Sequence, residues 1–276
     1  MKDVEGVNRV TSDPGIALGS RQEARELGLS DGELSKFNQE GWVGPYPLLT
    51  AEGAERLCQL YGYFSKSFVV RPSPFDARPW YKSMHVCIPE YYDVAVNPAI
   101  VERVKRVIGP DVICWGATVT VVPYGHRRRW HVDVEHKRWP GVSVFVGLRH
   151  LSDLSTLKVM PGTHRLQEIP QELSGNSDDE VEQAARQAGC TSSVTAVSMK
   201  TGDFFIFAGR LWHGSHNLAP ATRLALILQY TAPSEKIAAP LNWDEPIIWS
   251  PNQLPCVLAA GTDRFGYNRI CGRPRR

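Results

Sequence analysis

Apolar residues recur at helical spacing in three stretches between residues 30 and 109 and then in short β-rich runs. Ser30-Asp31-Gly32-Glu33 has the form of a capping box, with Leu34 and Phe37 following at helical spacing. Thr50 opens a second amphipathic stretch whose Ala54, Leu57, Cys58, Leu60, Tyr61 and Phe64 fall along one broad face. A third helix is punctuated at both ends. Asn97 caps it, Pro98 takes its first position, and Gly109 closes it after Ile100, Val101, Val104, Val107 and Ile108. Residues 69–96 carry Pro72, Pro74, Pro79, Trp80, Tyr81, Tyr91 and Tyr92, a mix that cannot form one long helix. Two readings stay open for this segment: an inert wrap over the core, or a lid lining a pocket. Residues 1–29 lack strong periodicity and read as a loosely ordered arm.

Beyond Gly109 the pattern predicts strands over Val112 to Val122, Val142 to Leu148, Leu157 to Met160, Val194 to Met199, Phe204 to Phe207 and Leu224 to Thr231. Gly, Pro, Ser and Asp separate them. A single helix interrupts the series, capped by Ser177 with Glu180 and ended by Gly189. Strands without regularly alternating helices argue against a doubly wound parallel sheet. The expectation is a mainly β fold with flanking helices (α+β), a double-stranded β-helix or jelly roll of the cupin-like kind, forming one domain over 30–276.

At 276 residues the chain is long enough for a core that needs neither disulfides nor metal to hold it. The near balance of 31 basic and 29 acidic residues argues against a dedicated nucleic-acid binder. No apolar run reaches membrane-spanning length, and the start, Met1 to Gly6, has no apolar signal core. The six cysteines include no C-x-x-C and read as reduced thiols. A soluble, cytoplasmic protein with a small-molecule partner is expected; oligomeric state is not legible.

Candidate chemistry begins with His131-Val132-Asp133. In an extended strand, residues i and i+2 point to one face, so an imidazole and a carboxylate would converge on one metal ion. Alone the motif means little, because a chain of this composition holds about one His-x-acid by chance. Phe204 to Trp212 then forms an apolar run that delivers His213, followed by the polar turn Gly214 to Thr222 and the return run from Arg223 to Tyr230. If the two runs form a hairpin, Arg223 opens the return strand near His213. A guanidinium heading an apolar strand is costly unless it meets an anion, and its planar fork suits a carboxylate. Two histidines, an aspartate and a buried arginine are the parts of a facial-triad iron site with a carboxylate-bearing cosubstrate.

The order of these features resembles the phytanoyl-CoA dioxygenase family of non-haem Fe(II)/2-oxoglutarate oxygenases. The likeness runs over roughly 30 to 235, through Phe37-x-x-x-Gly41-Trp42-Val43, Leu48-Leu49, His131-x-Asp133, Met160 to Arg165, Gly202-Asp203, Trp212 to Ser215 and Arg223. It implies Fe(II), 2-oxoglutarate and O2 as cofactors, with His131, Asp133 and His213 as iron ligands. It implies Arg223, assisted by Ser215, at the distal carboxylate of 2-oxoglutarate, and decarboxylation to succinate coupled to oxidation of a substrate. For the proximal carboxylate, Thr118, Thr120 and Lys158 stay open, with Thr120 preferred. An Asp at position 133, where related halogenases have Ala or Gly, points to hydroxylation or another oxidation.

Other residues bear on the site. His216 is the alternative histidine ligand and Glu135 the reserve carboxylate; His164 and Arg165 read as a structural turn. The basic run His126-Arg127-Arg128-Arg129, with Lys137-Arg138, is either a solvated loop or a recognition element for an anionic or hydroxylated substrate. Trp130, Arg129, Trp139 and Tyr81 are the substrate candidates. The expected substrate is a polar small molecule, a specialised metabolite that could bear a sugar. The rivals are an acyl-CoA hydroxylase of the same family, a non-catalytic jelly-roll binding protein, and a zinc hydrolase, which would leave Arg223 unexplained.

Overall fold

A computed structural model describes residues 27–69, 79–133, 140–173, 176–239 and 247–275. The N-terminal third is helical where its punctuation predicts. Helix α1 (Asp31–Glu40) has both halves of the Ser30/Glu33 capping box, and Gly41 ends it at φ 82°. Strand β1 (Trp42–Pro47) leads to α2 (Ala51–Val69), where Thr50 Oγ1 accepts from the Gly53 N–H at 3.1 Å. Short helices α3 (Met84–Cys87) and α4 (Pro89–Ala95) precede α5 (Pro98–Ile108), whose Asn97 cap accepts from the Ala99 N–H. The expected arm lies outside the described residues as far as residue 26. Of the proline-rich segment, the part from residue 79 packs inward, with Trp80, Met84 and Tyr91 buried.

Strands β2 (Val112–Val122), β4 (Val142–Arg149), β7 (Asp203–Ala208) and β9 (Arg223–Thr231) match the longer predicted runs. They are central to a seven-stranded sheet of order β1-β7-β4-β9-β2-β10-β11, completed by β10 (Pro255–Ala260) and β11 (Arg269–Ile270). The pairings are antiparallel except β10 with β11. A four-stranded antiparallel sheet of order β3-β8-β5-β6 faces it, built from β3 (Arg127–His131), β8 (His213–His216), β5 (Lys158–Val159) and β6 (Thr195–Ala196). Helix α6 (Asp178–Gln187) lies beside the smaller sheet, with the Ser177/Glu180 capping box formed. The architecture is mainly β, a jelly roll with flanking helices.

Two readings change. The predicted strands over 157–160 and 194–199 shrink to two residues each, because the small sheet pairs them only briefly. The run to His213 and the return from Arg223 are not a hairpin: β8 belongs to the small sheet and β9 to the large one, so the turn between them crosses from one layer to the other.

Period-two alternation decides what faces the gap between layers. Along β9, Leu224, Leu226, Leu228 and Tyr230 pack with Leu57, Val94 and Val104 of the helical layer. Their neighbours Arg223, Ile227 and Gln229 line the inter-sheet cavity. Along β4, Val142, Val144, Val146 and Leu148 face the helices, while Phe145 joins Phe205 and Phe207 on the inner face. The helices thus bury one face of the large sheet, and the other face is left for the site.

Candidate metal and cosubstrate site

The inner faces enclose a cavity of about 420 Å³ lined by His131, Asp133, His213, Arg223, Thr118 and Thr120, among others. His131 and His213 sit directly opposite one another in the β3/β8 ladder. Their ring centroids are 4.2 Å apart, and Asp133 Oδ1 lies 4.0 Å from His131 Nε2 and 3.8 Å from His213 Nε2. The three form a His-Asp-His group with one potential ligand atom each, all within 4.8 Å of one another.

Backbone groups set the orientation of both imidazoles. His131 Nδ1 lies 2.6 Å from the Arg129 carbonyl, and His213 Nδ1 lies 2.8 Å from the Leu211 carbonyl. A carbonyl only accepts, so Nδ1 carries the proton in each ring and the Nε2 lone pair is left for a metal. Asp133 is oriented too. Its Oδ2 accepts from Ser143 Oγ at 2.8 Å and from Gln229 Nε2 at 2.9 Å, so Oδ1 is the oxygen turned to the histidines. The donor set of two imidazoles and one carboxylate fits Fe(II).

Arg223 is 1% exposed. Its Nη1 donates to the Ser155 carbonyl at 2.7 Å and its guanidinium lies over Phe145, but its Nε has no hydrogen-bond partner. Among the described residues no carboxylate pairs with it. Burial, with the charge of Arg128 adding to it, pulls its pKa down to about 10. Ser215 Oγ is likewise buried without a partner. The orphaned guanidinium in the cavity fits a carboxylate, and Ser215, which lines the adjoining groove with Arg128, carries a second orphaned hydroxyl. Thr118 and Thr120 line the same cavity, with Thr120 Oγ1 donating to the Ala225 carbonyl. Lys158 does not line it; its Nζ pairs with Asp178 on the outer side of the small sheet.

The outer candidates separate. A bulge in β3 sets Arg128 opposite Ser215 and His131 opposite His213, three residues against two. Arg128 therefore shares the inner face with His131 and lines the cavity, whereas Arg129, which simple alternation would place there, does not. The basic run is thus partly a strand rather than a loop. Trp130 is buried with Val132, Met160, Val181 and Trp212, its indole N–H donating to Asp178, so it serves the packing of α6. Tyr81 lines the cavity and is half exposed. His216 has the opposite parity to His213 and lies off the cavity, in an outer groove. His164 falls in a short 3-10 turn with Arg165. Trp139, Glu135 and Lys137-Arg138 lie outside the described residues.

Sequence reasoning missed Ser143, Gln229 and Lys82, and named Arg128 only as one member of the basic run. The first two had a signal: each is a polar residue breaking an otherwise apolar strand, at the parity opposite to the helix-facing positions. Lys82 had none.

A family model described as phytanoyl-CoA dioxygenase (PhyH) matches residues 79–225. The chain belongs to that family. It is accordingly an Fe(II)/2-oxoglutarate-dependent oxygenase carrying a His-Asp-His triad, with Fe(II), 2-oxoglutarate and O2 as its cofactors. Among curated proteins, none matches the chain. Solved structures share the fold at low identity. CytC3 with Fe(II) and α-ketoglutarate is 18% identical, with a TM-score of 0.62 over 89% of this chain and 93% of its own. EctD from S. alaskensis, with 2-oxoglutarate and 5-hydroxyectoine, is also 18% identical, with a TM-score of 0.62 over 94% and 92%. SnoK, a non-haem α-ketoglutarate-dependent carbocyclase from nogalamycin biosynthesis, is 14% identical, with a TM-score of 0.59 over 86% and 96%. No helix among the described residues is long and apolar enough to cross a membrane.

Proposed function

We propose that this chain is a single-domain oxygenase of residues 30–276 that oxidises a small polar molecule, a specialised metabolite, by hydroxylation or oxidative ring closure, converting 2-oxoglutarate to succinate. His131 Nε2, Asp133 Oδ1 and His213 Nε2 hold the iron. Arg223 grips the distal carboxylate of 2-oxoglutarate, with Ser215 Oγ as a second donor and Thr120 on the adjoining wall. Bound Fe(II) supplies the activation of O2, with electrons from 2-oxoglutarate. The protein's own work is to orient these groups, to exclude water with Phe145, Leu157 and Phe207, and to seat the substrate beside Tyr81 and Thr118. The observation that carries the reading is Arg223: a buried guanidinium with an unsatisfied Nε and, among the described residues, no carboxylate, in the same cavity as the triad.

Among its apolar residues the cavity wall also carries Lys82, Arg128 and Gln229, charged and polar groups that favour a polar substrate over a long acyl chain. EctD and SnoK, whose descriptions name 5-hydroxyectoine and nogalamycin biosynthesis, support a small metabolite. Six cysteines without a disulfide suit the reducing cytoplasm.

The test is an anaerobic titration of metal-free protein with Fe(II) and 2-oxoglutarate, followed by the weak visible charge-transfer band of the ternary complex. The band is expected in wild type, absent in His213→Ala, and shifted to at least tenfold higher 2-oxoglutarate in Arg223→Ala. Folded, iron-loaded protein with no band would overturn the site assignment. Succinate formation stimulated only by long-chain acyl-CoAs would overturn the substrate class.

A further inference from the structure

One polar chain in the cavity wall serves neither as metal ligand nor as cosubstrate clamp. Lys82 Nζ donates to Gln229 Oε1 at 2.9 Å, and Gln229 Nε2 donates to Asp133 Oδ2 at 2.9 Å. All of this is inside the molecule: Gln229 is 1% exposed and Lys82 6%. We infer that Lys82 and Gln229 are positioning residues that make Asp133 a ligand through Oδ1 alone. The inference rests on the metal-site reading above and concerns how the site is held rather than whether it exists.

The inventory of donors and acceptors fixes the direction of each bond in the chain. An ammonium has donors only, so the side-chain atom of Gln229 facing Lys82 must be its carbonyl oxygen. That leaves the amide NH2 as the group facing Asp133, and a carboxylate can only accept it. The two ends of the relay therefore specify one amide orientation. The reversed amide would set two donors together at Lys82 and two acceptors together at Asp133. With Ser143 Oγ as its other donor, Oδ2 is held from two sides, and the carboxylate cannot swing Oδ2 toward the metal without breaking both bonds. A carboxylate confined to one oxygen would occupy a single position on a bound metal.

The fold reserves space for this arrangement. Gly116 lies opposite Gln229 in the β2/β9 ladder, at a bulge. A Cβ on Gly116 would approach Gln229 Oε1 to 2.9 Å, displacing the amide. Lys82 is tied to the same strand, since its carbonyl accepts from the Ala117 N–H and Ser83 bridges to Ala117. Its ammonium lies 5.2 Å from the Trp115 ring centroid and 5.9 Å from that of Trp80, so two buried indoles steady the charge where water is scarce. The relay joins the segment before α3 to a metal ligand.

The test measures metal binding directly, by anaerobic equilibrium titration with Co(II), together with the energy of the Fe(II)–2-oxoglutarate band. Lys82→Met and Gln229→Leu are each expected to weaken Co(II) binding about tenfold or more, the usual cost of losing a ligand's hydrogen-bond partner, and to move the band. Because the two act in series, Lys82→Met/Gln229→Leu should bind no more weakly than Gln229→Leu alone. Lys82→Arg, which keeps a donors-only head, should stay within about threefold of wild type. Additive losses in the double variant, or wild-type affinity and band in Lys82→Met, would overturn the relay. If Lys82→Met fails to fold, Gly116→Ala carries the test: weaker Co(II) binding supports the relay and unchanged binding overturns it. A wild type without any 2-oxoglutarate-dependent band would instead count against the proposed function, so the two failures are distinct.

Discussion

Arg223 shows at single-residue scale how a site holds interactions the unliganded chain leaves incomplete. Burying its charge costs stability: a pKa pulled well below the ordinary guanidinium range to about 10 corresponds to about 3 kcal/mol at neutral pH, where the group is protonated both folded and unfolded. Stability from this group should recover only as pH rises through about 10, because from there the unfolded chain binds more protons than the folded one. Arg223→Met is therefore expected to raise the melting temperature of the unliganded protein by several degrees, even after losing the bond to the Ser155 carbonyl. The further stabilisation that 2-oxoglutarate adds to the Co(II)-loaded protein should be large in wild type and small in the variant. A lower melting temperature in Arg223→Met would show that the guanidinium serves packing instead.

At the scale of elements, the site depends on how strands enter their sheets. The β3 bulge is what turns Arg128 inward; the sequence Arg127-Arg128-Arg129 offers three equivalent choices, and only pairing with β8 selects one. The junction before β7 is equally constrained. Gly202 has φ 92°, its carbonyl accepts from both the Leu48 and Leu49 N–H, and its own N–H donates to the Gly147 carbonyl. A Cβ there would run into the carbonyl oxygen of Leu49. Gly202→Ala combines a strained left-handed backbone with a backbone collision, so a loss of about 2 kcal/mol or more in denaturant unfolding is expected. A loss below about 0.5 kcal/mol would mean that the β1–β7 edge can shift freely. Helix punctuation was legible at this scale because caps are local: Ser30/Glu33, Asn97/Pro98 and Ser177/Glu180 all act within one turn.

Across the whole molecule, the helical layer and the large sheet share one core, and acid should loosen it through His85. This histidine is fully buried on α3, and burial pushes its pKa from 6.5 down to about 3. The unfolded chain takes up a proton near pH 6.5 that the folded chain accepts only near pH 3, so stability falls as pH drops through that window. Between pH 7 and pH 5 this group alone should remove about 2 kcal/mol. His85→Leu should show a correspondingly smaller loss over the same interval in urea unfolding, and an identical loss in both proteins would place the acid sensitivity elsewhere.

The sequence by itself determined the class of chemistry and the identity of the ordered pieces. His131-x-Asp133, the His213 turn and Arg223 are short signals whose residue types are constrained by the metal and the anion, and alternation marked the long strands of the large sheet. Tertiary structure decided how they meet. It replaced the expected hairpin with a crossing between sheets, put His131 opposite His213, and brought Ser143, Gln229 and Lys82 to Asp133. Those contacts join residues up to 147 positions apart. Local propensity carries no information over such distances. They are set by which faces the helices cover and by where a bulge or a glycine leaves room for a polar side chain.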